Sequence, residues 1–326
     1  MIPQESMLVV LVRMIDLIPA PPARPAKRGH PITYPEKLFL KALVIMIVKH
    51  LHKVYELLSV LNEPTFEMQQ LRNLLTEHER YPSRRTWERR LQGLPANLPA
   101  QIGCFGRYLV ELIIPWATCG RAVAVDSTIL RSNGGVWHKK DREKGQVPHT
   151  SIDTEAHWTK SGWHGWVYGW KLHIACVVAT VWIPLCAELT SANLADNEIA
   201  PALIGELPAA ALFVLGDVHY NAPNVREVCE QTNRLLVTTQ YGPYPHTDEG
   251  VEVRRIFHKL RSLAIENFNE HFKGIFDGHG QVPTKGLINT QRFALGAIFV
   301  YQLALLYRFQ HGLDLNIGLK AFIKAI

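Results

Sequence analysis

Three carboxylates stand where this chain can put them to chemical use. Val123-Ala124-Val125 runs into Asp126, and Phe213-Val214-Leu215-Gly216 into Asp217, so each aspartate closes a short apolar run of the kind that forms a buried strand. Open α/β sheets present functional side chains at such strand ends. Either aspartate alone also suits a helix cap or a turn; two in the same setting favour a shared site. A third carboxylate, Glu266, sits among Leu263, Ile265, Phe268, Phe272 and Phe276, which supply a helical apolar stripe. Glu266 borders that stripe, facing either a cleft at the end of a sheet or solvent, where it would pair with a lysine or arginine a turn away. Carboxylate oxygens are hard donors that suit divalent cations. Two such ions roughly 3.5–4 Å apart activate a nucleophile and stabilise the leaving oxygen in in-line phosphoryl transfer.

The elements that must position these groups begin at Arg121, where the pattern turns to β. Residues 122–126, 171–179 and 182–189 read as strands, 196–207 as a helix, 210–216 as a strand, 222–231 as a helix and 234–239 as a strand. Two long helices follow, over 252–276 and 291–309. This order predicts an α/β body, a mixed sheet flanked by helices. The apolar run from Phe293 to Tyr307 is about 15 residues long and contains Gln302. A membrane span needs roughly 20 residues, so a buried helix is expected.

The N-terminal third reads differently. Residues 1–18 carry no assignable role, and residues 19–35 hold six prolines with Arg24, Lys27 and Arg28, which predicts a basic linker. Helical spacing over 36–61 implies two helices or one bent one. Ser83 caps a short basic helix that carries Arg84, Arg85, Arg89 and Arg90 around Trp87, and residues 99–115 form a further helix. The expected division is 1–35 as segment and linker, 36–118 as an all-α, helix-turn-helix-like DNA-binding module, 119–312 as the catalytic domain and 313–326 as a C-terminal tail. In such a module arginines contact phosphates and guanine edges in the major groove; the alternative is a surface helix with Trp87 buried and its arginines solvated.

Composition narrows the class. Hydrophobic residues at 47% and charged residues at 20% exclude a disordered chain, and a net charge of +6 favours a polyanionic partner. Five scattered cysteines without a CxxC pair exclude a disulfide framework and a zinc ribbon, which suits a reducing cytoplasm. Between Arg131 and Trp170, cations (Lys139, Lys140, Arg142, Lys144, Lys160) interleave with Trp137, Trp158, Trp163 and Trp166, with His138 and His164 beside them. That mixture serves either phosphate neutralisation and stacking on unpaired bases, or a long ordered loop packed on its own tryptophans.

Taken in order, Ala124-Val125-Asp126-Ser127-Thr128, Val167-Tyr168-Gly169-Trp170-Lys171-Leu172-His173, Pro184-Leu185, Thr190-Ser191-Ala192-Asn193 with Asp196, Leu215-Gly216-Asp217, and Ile265-Glu266 with Lys273 resemble DDE transposases of bacterial insertion sequences, the IS4 and IS5 groups. The resemblance spans about residues 30–310. It implies an RNase H-like catalytic fold in which Asp126, Asp217 and Glu266 are the catalytic, metal-binding triad for two Mg2+ ions, with Mn2+ as an alternative. Relatives carry Tyr-x2-Arg-x3-Glu-x6-Lys around the last carboxylate. Counted from Glu266, Lys273 matches the lysine, but Ser262 stands at the arginine position and Lys259 at the tyrosine position. Arg261 is one residue out of register, about 100° round a helix. Only 48 residues separate Asp217 from Glu266, which leaves no room for the large β-rich insertion of some relatives.

The expected function is therefore cleavage and strand transfer at terminal inverted repeats, by a homodimer that acts on DNA in the cytoplasm at the bacterial nucleoid, with no membrane partner. Lys273, Arg261 and Lys171, with the four arginines of the basic helix, are the expected DNA contacts. The alternative is a catalytically inactive repressor, derived from a transposase, that binds the repeats without cutting them.

Overall fold

In the computed structural model, the described residues are 5–22, 33–162, 165–240, 242 and 247–326. The basic part of the proline-rich linker (Arg24, Lys27, Arg28), together with Trp163 and His164, lies outside them. The chain divides into two compact units, residues 1–105 with 291–326, and residues 106–290.

The first unit is helical. Helix α1 (Met7–Met14) starts at Ser6, whose hydroxyl accepts the Val9 N–H, and buries Leu8, Val9, Leu11, Val12 and Met14. It packs on α2 (Glu36–Val48) and α4 (Phe66–Leu74), with α3 (Val54–Leu61) between those two in sequence. The segment without an assigned role is thus part of a core. Two helices, not one bent one, cover residues 36–61. Helix α5 (Arg84–Gly93) opens on Ser83, whose hydroxyl accepts the Thr86 N–H. It buries Trp87 edge-on to Phe39, ring centroids 5.2 Å apart. Helix α6 (Leu98–Ile113) follows. Helix α12 (Leu287–Gln310) is long and apolar enough to cross a membrane, but its most apolar window is 83% buried inside the protein, as a core helix is. There Gly296 lies close against Leu43, and residues 291–326 group with the first unit. Helix α13 (Leu319–Lys324) buries Leu319 and Ile323 near the end of the chain.

The second unit holds a six-stranded sheet built from β1 (Ala122–Arg131), β2 (His157–Ser161), β3 (Gly165–Val177), β4 (Pro184–Ser191), β5 (Phe213–Leu215) and β6 (Leu235–Val237). Strands β1 to β4 are antiparallel neighbours around β3, whereas β5 and β6 run parallel to β1. One edge of β3 is shared: β2 pairs with Gly165–Gly169 and β4 with the rest, Trp170–Cys176. Helix α7 (Lys139–Glu143) lies in the β1–β2 connection; α8 (Asp196–Gly205), α9 (Pro223–Gln231), α10 (Asp248–Arg261) and α11 (Asn267–Ile275) complete the unit. This is the expected α/β arrangement, a mixed sheet flanked by helices with a helical N-terminal module, as in an RNase H-like fold.

Three details depart from expectation. Strand β1 does not stop at Asp126 but continues through Ser-Thr-Ile-Leu-Arg to Arg131, because β3 is long enough to pair with all of it, from Val123↔Val177 to Arg131↔Gly169. A glycine is needed at 169, since a Cβ there would lie 2.1 Å from the Leu130 carbonyl oxygen. The aromatic and cationic segment contains a hairpin, β2–β3, in place of a long loop. Finally, the helix expected over 252–276 is broken at Ser262–Glu266 by a π-helical turn between α10 and α11.

Candidate active site

The sheet sets two aspartates side by side. Ala124 pairs with Leu215 in the last couple of the parallel β1–β5 ladder. Asp126 and Asp217 each lie two residues beyond it, where β1 continues and β5 has ended. Asp126 is therefore a mid-strand residue at the mouth left by a short neighbour. Gly216 makes room behind it, because a Cβ there would lie 2.6 Å from the Tyr220 Cβ. Asp217 then caps a short 3-10 turn, Val218–Tyr220, through Oδ1, which accepts the His219 N–H at 2.8 Å.

Backbone and side chains fix Asp126 from one side. Its Oδ1 accepts the Ser127 N–H at 2.8 Å, and the Ser127 hydroxyl donates to Asp196 Oδ1 at 2.8 Å. Asp196 Oδ1 also takes the Lys171 ammonium at 3.1 Å, and Lys171 donates to the Leu194 carbonyl at 3.0 Å. Buried His173 lies beside the same carboxylate; its Nε2 meets the Thr190 hydroxyl at 2.9 Å. Burial lowers its pKa, so the ring is held neutral.

From the other side comes Arg261. Its guanidinium donates through Nη2 to Glu266 Oε1 at 2.8 Å, and Nη1 stands 3.8 Å from Asp126 Oδ2. The Ser262 hydroxyl donates to the same Glu266 oxygen at 3.1 Å. Arginine and glutamate are five residues apart, about 140° round an α-helix; the π turn between them, with its i→i+5 spacing, brings them to one face. The arginine that sequence counting puts out of register is thereby returned to the carboxylates.

Burial and like charge act against the ionisation of Asp126. Burial pushes the Asp126 carboxyl up to about 7; Arg261 and the Ser127 N–H pull it down, while Asp217 and Asp196 push it further up. Tyr220, 1% exposed, has its phenol held well above the ordinary range by burial and by Asp126, Asp196 and Asp217. Among the described residues no three His, Cys, Asp or Glu side chains stand together as a formed metal cluster. Asp126 and Asp217, with charges that oppose each other and one of them costly to ionise, fit a divalent ion; Glu266, half exposed and bonded to Arg261, completes such a set only by exchanging that partner.

The model of the transposase DDE domain family matches residues 117–303, more than half of the chain. The chain belongs to this family. No curated protein and no solved structure matches it.

In this transposase the other expected site residues fall in different settings. Lys273, on α11, has its pKa lowered by burial and raised by Glu270 and Asp126, which places it in the field of the site. Lys171 is turned inward, its side chain 13% exposed and bonded to Asp196 and to the Leu194 carbonyl. The reason is its place in β3 opposite β4, above the start of α8. On α5, Arg84, Arg85 and Arg89 are exposed; Arg84 pairs with Glu88 at 2.8 Å, and Arg90 lies 4.6 Å from the Phe39 ring. Trp87 is fully buried. Ser127 and Asp196 had been legible only as pieces of a resemblance, and Tyr220 not at all. The signal for Asp196 was its position at the start of a helix after a strand; the pattern carries no sign of which strand it would face.

Proposed function

We propose that this transposase binds the terminal inverted repeats of an insertion sequence, cleaves the phosphodiester at each end and joins the freed 3′ ends to target DNA, with two Mg2+ ions held by Asp126, Asp217 and Glu266. The observation that carries the reading is the register that sets Asp126 and Asp217 level beyond the end of β5, with Glu266 tied to Asp126 through Arg261. When bound, the ions supply the charge that activates water or a 3′-hydroxyl and stabilises the leaving oxygen.

The chain's own groups prepare that chemistry. The Ser127 N–H holds Asp126 Oδ1, with the Ser127 hydroxyl anchored on Asp196, which leaves Oδ2 directed toward Arg261. The His219 N–H holds Asp217 Oδ1. Once Glu266 turns to an ion, the Arg261 guanidinium is released beside the site as a fork suited to the scissile phosphate. Lys273 adds a second cation on the same helical segment. Arg84, Arg85 and Arg89 are exposed α5 cations that suit the repeat, with DNA synapsis by a homodimer in the cytoplasm.

The test is end binding and end cleavage by variants. Asp126→Ala and Asp217→Ala should retain binding to DNA from the ends flanking the gene and lose cleavage by at least about a thousand-fold, of the order seen when electrostatic groups are removed from other active sites. A second reading, a repressor that binds without cutting, is favoured by the hold of Arg261 on Glu266; specific binding without cleavage under any divalent ion would establish it.

A further inference from the structure

The β2–β3 hairpin carries aromatic side chains that the triad does not use. Trp158 lies opposite Tyr168 and Lys160 opposite Trp166. Asp126 lies opposite Ile174, and the Ser132 N–H donates to the Tyr168 carbonyl. Side chains alternate along strands, so Trp158, Lys160, Trp166 and Tyr168 share the sheet face that bears Asp126. Two of these rings are open to solvent, Trp158 at 42% and Trp166 at 67%. Diagonal cross-strand neighbours such as these stand about 7–8 Å apart, room for one flat ring between them.

Beside them is a cavity of about 300 Å3, lined among others by Arg131, Gly134, Gly135, Trp158, Trp166 and Gln281. That volume is at the small end for ligand pockets, the scale of a single ring system. Its floor is fixed: the Tyr168 hydroxyl donates to the Asp153 carbonyl at 2.6 Å, and the Tyr168 ring meets Trp158 at 5.4 Å. Gln281 is held by pairing with Arg131, where the Val282 N–H donates to the Arg131 carbonyl at 2.8 Å. No carboxylate lines the cavity among the described residues. Indole faces stack on any base, and a carboxamide reads a base edge.

We propose that this cavity binds an unpaired nucleobase of the DNA strand that the transposase processes. The proposal rests on the reading that DNA is its substrate. Asp126 and Ser132 are six positions apart on one strand, about 20 Å. Gly278, at the end of the α11 segment, lies against Lys273 and Leu130 between them. A strand leaving the carboxylates thus passes Lys273 and reaches the cavity about six nucleotides away, at 3.4 Å per step.

The experiment uses the full chain in EDTA, with labelled oligothymidylate and, separately, DNA from the element ends carrying 2-aminopurine in a single-stranded overhang about six nucleotides from the cleavage site. Trp158→Ala/Trp166→Ala should weaken oligothymidylate binding about ten-fold or more and abolish 2-aminopurine quenching, while Trp158→Phe/Trp166→Phe keeps both and duplex affinity is unchanged. Trp166→Ala alone, at an exposed position, should give a weaker version of the same loss if the double variant fails to fold. Oligothymidylate binding equal to wild type in the alanine variants, or none by wild type, overturns the proposal. Mg2+-dependent end cleavage, followed in parallel, separates the two readings: cleavage without stacking sinks only the base site, and stacking without cleavage or end binding sinks only the transposase assignment.

Discussion

Arg261 and Glu266 are five residues apart in sequence and 2.8 Å apart in space. Only the π turn at Ser262–Glu266 allows this on one helical segment. It acts as an inserted residue: α10 and α11 keep the faces they would share in a continuous helix one residue shorter. Deletion of Leu263, which is 50% exposed, should therefore regularise the turn and preserve the pair, whereas insertion of an alanine after it should separate them. Thermal melting and end cleavage check this: the deletion variant should melt within a few degrees of wild type and still cleave, and the insertion variant should not cleave. Loss of folding on deletion would contradict it.

Asp126 gives a pH dependence whose sign follows from its environment. Its carboxyl is raised by burial to about 7 from an ordinary 3.8, so the fold favours the protonated form. The stability this contributes in EDTA is complete below about pH 4 and is lost as pH rises through about 7. Asp126→Asn should remove that part of the slope, read as the difference between the two unfolding curves. Since a divalent ion binds the ionised form, added Mg2+ should oppose the loss. Identical pH slopes for wild type and variant would contradict the assignment.

Much of this was legible in the sequence because it follows from local pattern. Apolar runs marked the strands around Asp126 and Asp217, and helical stripes marked α2, α10 and α12. What escaped depends on partners distant in the chain. The length of β1 is set by β3, which Ser127 to Arg131 do not reveal by themselves. The hairpin at Trp158 to Tyr168 has alternation, but it is masked by glycine and tryptophan. The role of Arg261 was hidden because counting in sequence assumes a constant helical pitch, and a π turn has no residue signature in Ser-Leu-Ala-Ile-Glu. The pairing of Lys171 is hidden for the opposite reason: a cation in a strand looks available until the helix that brings Asp196 is in place.

The pair of Lys171 with Asp196 predicts its own energetics. The two side chains are 13% and 20% exposed, and the contact is 3.1 Å. Removal of one partner from a buried pair costs about 3–5 kcal/mol, and removal of both costs less. Asp196→Ala should approach the lower figure, and Lys171→Met/Asp196→Leu should recover part of it in chemical denaturation. A double variant no more stable than Asp196→Ala would show that Asp196 acts chiefly through Ser127.

Gly216 tests how closely the aspartate mouth is packed. A Cβ at this position meets the Tyr220 Cβ at 2.6 Å, at the base of a side chain that cannot swing away. Gly216→Ala should cost about 1–3 kcal/mol through overpacking. By moving Tyr220 and the turn capped by Asp217, it should lower cleavage more than it lowers end binding. Full cleavage in a stable Gly216→Ala protein would mean that the position of Asp217 is not set from behind.

The most direct test of transposase activity mixes purified protein with labelled DNA from the ends flanking its gene and a target plasmid, with Mg2+ or with EDTA. Mg2+-dependent 3′-end cleavage and joining to the plasmid are expected, both absent in EDTA and in Asp126→Ala and Asp217→Ala. Cleavage that survives in Asp217→Ala, or sequence-specific binding with no cleavage under any divalent metal, would contradict it.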